Sequence, residues 1–163
     1  AEYNFNKKIK ITVGGETRQQ SVFNGFKLVD EKSEYVAIHD GARPLISRNA
    51  IKQLIENVKL YSATTVGVPV KDTIKVVQDG FIKNTPKRDT LFITQTPQIF
   101  DKKLYTESVE SAIKSGLDFT DDCQLVENIG YKVFMTIGEY SNIKITTPDD
   151  IKLAENLLKE VSE

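Results

Sequence analysis

One stretch of the chain sets ionisable groups of both signs around a glycine: His39-Asp40-Gly41-Ala42-Arg43-Pro44. It follows the apolar run Tyr35-Val36-Ala37-Ile38 and precedes Ser47-Arg48-Asn49-Ala50, which reads as a helix start. The stretch therefore falls at the carboxyl end of what reads as a buried strand, where open α/β sheets bind their ligands. A guanidinium there suits a phosphate, and a carboxylate suits hydroxyls or a metal, so the pair fits a polyol phosphate. The plainer alternative is a turn with a local Asp–Arg pair and a proline stop.

Other polar clusters fall at the ends of apolar runs. Gly14-Gly15 separates the alternating Ile9-Lys10-Ile11-Thr12-Val13, read as a short strand, from a helical spacing of Val22, Phe26 and Val29. Backbone can approach a ligand closely at such a glycine pair. Lys71-Asp72-Thr73 closes the β-branched run Ala63 to Val70, read as a buried strand. Thr96-Pro97-Gln98 closes a short strand at Leu91 to Gln95, and Lys144 lies in Asn142-Ile143-Lys144-Ile145, also read as a short strand.

The elements that must position these groups follow from periodicity. Ser47 caps a helix with the stripe Ile51, Leu54, Ile55 and Val58, and Asp101 caps one carrying Leu104, Tyr105, Ser108, Ala112 and Ile113, with Gly116 at its C-terminus. Thr120-Asp121-Asp122 opens a helix through Leu125, Val126 and Ile129; acids in a first turn are the ordinary response to the helix dipole. Lys132 to Ile137 reads as a strand. Thr147-Pro148-Asp149-Asp150 opens a last helix that buries Ile151, Ala154, Leu157, Leu158 and Val161. Between the strands sits a different texture: Thr73 to Val77 and Phe81 to Thr85 flank Gln78-Asp79-Gly80, a hairpin signal. A lone hairpin is marginal in water, so its Ile74, Val76, Val77, Phe81 and Ile82 call for a packing partner, either the parent domain or a second copy of the chain. Repeated strand–helix units with one inserted hairpin predict an α/β domain over 1–163, with a mainly parallel sheet covered on both faces.

Bulk properties exclude several classes. Lys and Arg number 22 against 23 Asp and Glu, which leaves no basic footprint for nucleic acid. No apolar run is long enough to span a membrane, and the first residues lack a signal-peptide core. One cysteine, Cys123, permits no internal disulfide and points to a reducing, cytoplasmic compartment; one histidine, His39, rules out a His-rich metal site within one chain.

Taken in order, these segments resemble the 2-C-methyl-D-erythritol 4-phosphate cytidylyltransferase family. The match is carried by Gly14-Gly15-Glu16-Thr17-Arg18 with Ser21, His39 to Pro44, Pro69-Val70-Lys71-Asp72-Thr73-Ile74-Lys75, Gln95-Thr96-Pro97-Gln98, Thr120-Asp121-Asp122, and Asn142 to Asp150. The resemblance implies a Rossmann-like, three-layer nucleotidyltransferase fold. It implies cytidylyl transfer from CTP to the methylerythritol phosphate of the non-mevalonate isoprenoid route, with Mg²⁺ held mainly by the CTP phosphates. It implies that Gly15, Glu16, Ser21 and Gly41 bind the nucleotide and that Asp40, Arg43, Thr73 and Thr96 line the polyol-phosphate site. Lys144 would act near the α-phosphate. The hairpin, at about 73–88, would be an arm clasping a second subunit in a homodimer, and Arg88 would reach the partner's site. Family members also open with a Gly-rich phosphate loop on their first strand. Nothing in Ala1 to Lys10 resembles it, so the sequence is expected to start at the third strand and, alone, to turn over negligibly. Two rival readings remain: ribitol 5-phosphate cytidylyltransferase on the same scaffold, and a non-catalytic dimerising fragment.

Overall fold

The computed structural model describes residues 7–161. In chain order the elements are α1 (Arg18–Phe26), β1 (Tyr35–Ile38), α2 (Arg48–Tyr61), β2 (Ala63–Pro69), β3 (Val76–Gln78), β4 (Phe81–Asn84), a 3-10 turn at Arg88–Thr90, β5 (Phe92–Asp101), α3 (Lys102–Ser115), α4 (Asp122–Asn128), β6 (Phe134–Ile137) and α5 (Pro148–Val161). The main sheet has the order β1-β5-β2-β6. β2 and β6 are parallel, and β5 runs against both β1 and β2, so β1, β2 and β6 share one direction.

Strand alternation explains the layers. Successive side chains of β5 point to opposite faces. Phe100 joins Phe23, Leu104, Tyr105, Val109 and Val126 under α1, α3 and α4. Its neighbour Ile99 joins Leu54, Val58 and Val66 under α2. The helices start where their caps dictate. Ser47 accepts from the Ala50 N–H, Asp101 from the Lys103 and Leu104 N–H groups, and Asp121 from the Gln124 N–H. Gly116 closes α3 at φ 65°, a conformation costly for other residues.

Several expectations need correction. Ile9 to Val13 is not a strand: Ile9, Ile11 and Val13 are exposed, and an alternating run without a ladder partner has nothing to hold it extended. β1 is an edge strand rather than a buried one; it pairs only with β5 among the described residues, so Val36 is buried while Tyr35 and Ala37 are exposed. β5 does not stop at Gln95 but continues through Thr96-Pro97-Gln98 to Asp101. The expected strand at Asn142 to Ile145 is irregular backbone, pinned by the Ile145 N–H on the Ala42 carbonyl at 2.8 Å. In α5 only Ala154 is fully buried among the described side chains; Ile151 and Leu158 are exposed, and Val161 lies outside those side chains.

The hairpin forms as its sequence predicts, with Asp79 and Gly80 both at positive φ in the turn, the twist that hairpins favour. Every residue of β3 and β4 is exposed. The apolar side chains of the arm, Val76, Val77, Phe81 and Ile82, are exposed within the chain.

Candidate active site

Asp40 is the centre of the site. It sits just past the carboxyl end of β1, and its backbone N–H donates to Thr96 Oγ1 at 3.0 Å. Its Oδ2 lies 3.2 Å from Lys144 Nζ and 3.5 Å from Arg43 Nε, and its Oδ1 lies 3.9 Å from Arg18 Nη2. Burial alone would push this carboxyl up. The hydrogen bond and charge of Lys144, with the charges of Arg18 and Arg43, outweigh it and hold the group below its ordinary value. Three cations converge on this one carboxylate, which places charged donors where a phosphate could bind.

Each arm has its own support. Arg43 Nη1 donates to the Asn142 carbonyl at 2.9 Å, and the buried Asn142 side chain donates to Gln95 Oε1 and to the Thr96 carbonyl, each at 3.1 Å. Gln95 in turn donates to the Glu139 carbonyl at 3.0 Å. These bonds stitch the irregular 139–145 segment to β5 and thereby set where Lys144 stands. His39 bridges Thr96 Oγ1 at 2.9 Å and the Arg43 carbonyl at 3.0 Å. A carbonyl only accepts, so Nε2 carries the hydrogen of that bond. Two buried polar atoms, Arg43 Nε and Asn142 Oδ1, have no hydrogen-bond partner among the described residues.

A cavity of about 140 Å³ opens here, lined by Asp40, Arg43, Thr96 and Lys144 together with Arg18, Gln98 and Asp121. A larger hollow of about 510 Å³ lies between the 31–35 segment and the start of α3, lined by none of these groups.

The other expected site residues fall elsewhere. Gly15, Glu16 and Ser21 flank the start of α1. A side chain at Gly15 would collide with Gln20 at 2.2 Å, so glycine is required there. The N–H groups through which this segment could read a base are taken: Gly15 N–H donates to Ser21 Oγ at 2.9 Å and Glu16 N–H to Gln20 Oε1 at 2.8 Å. Gly41 is exposed, with open space where a Cβ would stand. Thr73 is exposed on the loop between β2 and β3. Arg88 is exposed at the base of the hairpin, donating to the Lys71 carbonyl at 3.1 Å. Thr73 and Arg88 do not line the cavity within one chain.

Sequence reasoning passed over Arg18, Gln98 and Asp122. Arg18 stood inside a quoted motif without a role. Asp122 reads as an exposed first-turn acid of α4, yet it is 1% exposed, because Tyr105 on α3 and Arg18 on α1 close over it. A shared contact between distant segments leaves no periodic signal in a sequence.

A sheet covered by helices on both faces, with a charged pocket just past the carboxyl end of β1, defines an α/β protein with a site suited to a phosphorylated ligand. The model of the family "2-C-methyl-D-erythritol 4-phosphate cytidylyltransferase" matches residues 2–160. A protein of that name from Caldanaerobacter subterraneus subsp. tengcongensis is 50% identical over 160 residues, covering 98% of this chain and 70% of its own. One from Clostridioides difficile is 49% identical over 157 residues, covering 96% of this chain and 66% of its own. The crystal structure of 4-diphosphocytidyl-2C-methyl-D-erythritol synthase from Anaerococcus prevotii superposes with a TM-score of 0.89 at 39% identity, covering 95% of this chain and 72% of that one. The Francisella tularensis cytidylyltransferase gives 0.86 at 31%, covering 96% of this chain and 75% of that one. The chain belongs to the 2-C-methyl-D-erythritol 4-phosphate cytidylyltransferase family.

Proposed function

We propose that this chain supplies the acceptor side of a cytidylyl transfer from CTP to 2-C-methyl-D-erythritol 4-phosphate, yielding CDP-methylerythritol and pyrophosphate in isoprenoid synthesis. The carrying observation is the convergence of Arg43 and Lys144 on Asp40 beside Thr96. An oxygen of the acceptor phosphate bonds to the α-phosphorus of CTP, and the bond from that phosphorus to the bridging β-oxygen breaks. Arg43 Nε, buried without a hydrogen-bond partner among the described residues, and Lys144 are free to exchange Asp40 for the incoming phosphate. Asp40 and Thr96 are then left for the hydroxyls. Lys144, partly exposed at the cavity mouth, is the point charge best placed for the charge that builds during transfer. Catalysis of this kind rests on positioning and charge neutralisation.

Mg²⁺ is read as arriving on the triphosphate. The cations around Asp40 make its carboxylate a poor cage for a second cation, and among the described residues no group of acidic, His or Cys side chains converges as a metal site. The nucleotide is assigned to Gly15, Glu16, Ser21 and Gly41, with Ser21 and Gln20 turning away from the N–H groups they hold. Thr73 joins the acceptor site through its loop. The exposed apolar face of β3 and β4 supports a homodimer in which Arg88 reaches the other subunit's pocket. A cytoplasmic setting is supported by a buried free Cys123. Among the described residues no helix is long and apolar enough to cross a membrane.

The test is a side-by-side assay of the full-length protein with CTP, Mg²⁺ and either methylerythritol phosphate or ribitol 5-phosphate. Turnover with the first, at a kcat/KM at least about tenfold higher, is the expected result. Preference for ribitol 5-phosphate would move the protein to the wall-polymer reaction, and no turnover with either would leave a scaffold.

A further inference from the structure

Arg18, in the cavity wall, and the buried Asp122 to which it is paired take no part in the transfer described above. Asp122 is buried on both sides. Its carboxylate accepts from Tyr105 Oη at 2.6 Å and from Arg18 Nη1 at 2.7 Å, and its own N–H donates to Gln98 Oε1 at 2.9 Å. Arg18 therefore uses one nitrogen on Asp122 and turns the other, Nη2, to Asp40 Oδ1 at 3.9 Å. A forked guanidinium can bridge two carboxylates in this way; an ammonium on a flexible stem cannot hold both with the same geometry.

The two oxygens of Asp40 are divided between different cations. Oδ2 faces Arg43 and Lys144, and Oδ1 faces Arg18. When a phosphate draws Arg43 and Lys144 away, Oδ2 loses its partners and Oδ1 keeps its own. We propose that Arg18 is a positioning residue that keeps Asp40 charged and oriented toward the polyol hydroxyls while Arg43 and Lys144 serve the phosphate, and that Asp122 fixes Arg18 for that task. The inference rests on the acceptor-site reading above. Its physical basis is preorganisation: tied to a buried carboxylate, Arg18 loses its rotamer freedom on folding rather than on substrate binding. Tyr105, packed between Phe26 and Phe100, keeps Asp122 in place from the core side.

The experiment is steady-state kinetics of full-length Arg18→Met and Arg18→Lys, each alone and in an Asp40→Asn background. Arg18→Met should raise KM for methylerythritol phosphate about tenfold while the KM for CTP stays within about twofold. Arg18→Lys should fall between wild type and Arg18→Met. In the Asp40→Asn background the step from Arg18 to Met should shrink below about twofold, because there is no charge left to hold. An Arg18→Met effect of equal size in both backgrounds would overturn the proposal, as would a folded Arg18→Met with unchanged KM values. If Arg18→Met does not fold, Arg18→Lys, which keeps a cation against Asp122, carries the same comparison. Failure of the site reading shows separately: wild type would then ignore methylerythritol phosphate, or Lys144→Ala would keep its kcat.

Discussion

The pocket around Asp40 and the arm of β3 and β4 are built on opposite principles. In the pocket, charged and polar groups are buried and almost all paired: Asp122, Gln98, Thr96 and Asn142 are each 5% exposed or less, and each is hydrogen bonded. In the arm, apolar groups are exposed: Phe81 at 79%, Ile82 at 62% and Val77 at 57%. Burying polar groups is tolerable only where their partners are supplied, and the chain supplies them from α1, β5, α4 and the 139–145 segment. Exposing apolar groups at the tip of a two-stranded ribbon is reasonable only where something covers them. The pocket pairs its polar groups within the chain; the arm leaves its apolar groups uncovered within the chain.

That contrast makes graded predictions. The largest effect is expected in the pocket. Lys144→Ala in full-length protein should lower kcat about 100-fold with a smaller change in KM, measured under saturating CTP; an unchanged kcat would remove Lys144 from the transfer step. Its fold should survive, because Lys144 is partly exposed and only its charge is lost.

The arm should respond in assembly rather than in folding. Phe81→Asp should weaken self-association at least about tenfold by analytical ultracentrifugation, with little change in melting temperature. Mixing Arg88→Ala with Lys144→Ala should restore part of the activity, because one hybrid site keeps both groups. No recovery on mixing would argue against a site shared between subunits.

The smallest effect concerns the turn that follows Lys144. Asp150 accepts from the N–H groups of Thr146 and Thr147 at 2.9 and 2.8 Å and from both their hydroxyls. Those backbone bonds hold its carboxyl down at about 2, against an ordinary 3.8. A carboxyl lowered in the folded state stabilises above the unfolded value and loses that contribution as pH falls through the folded one. The melting-temperature difference between wild type and Asp150→Asn should therefore be present at neutral pH and narrow as pH falls from 3.8 toward 2. A difference independent of pH would assign the effect to shape rather than charge.

Much of the scaffold was legible from local signals. The caps at Ser47 and Asp101, the Gly116 stop and the Asp79-Gly80 turn each depend on a few adjacent residues, and each formed as read, whereas Asp121, read as a first-turn acid, is the cap of α4. Asp40 and Arg43 were legible because they follow the carboxyl end of β1, where α/β sheets collect ligand groups; Thr96, inside β5, and Lys144, on irregular backbone, were legible through the family resemblance. The errors came from pairing. Periodicity shows that a run can be a strand but not which neighbour it finds, so Ile9 to Val13 was read as a strand without a ladder, β1 was read as buried, and β5 was cut short at Gln95.

The sequence by itself determined the alternation of helix and strand, the hairpin, the balance of charge and the set of polar residues at strand ends. Those properties depend on neighbours along the chain. Only the tertiary structure decided that Arg18, 22 residues before Asp40 in sequence, shares its carboxylate with Lys144, and that Asp122 is an anchor in the core rather than a surface acid. Charge interactions act through space and burial, and both are set by how separate elements pack.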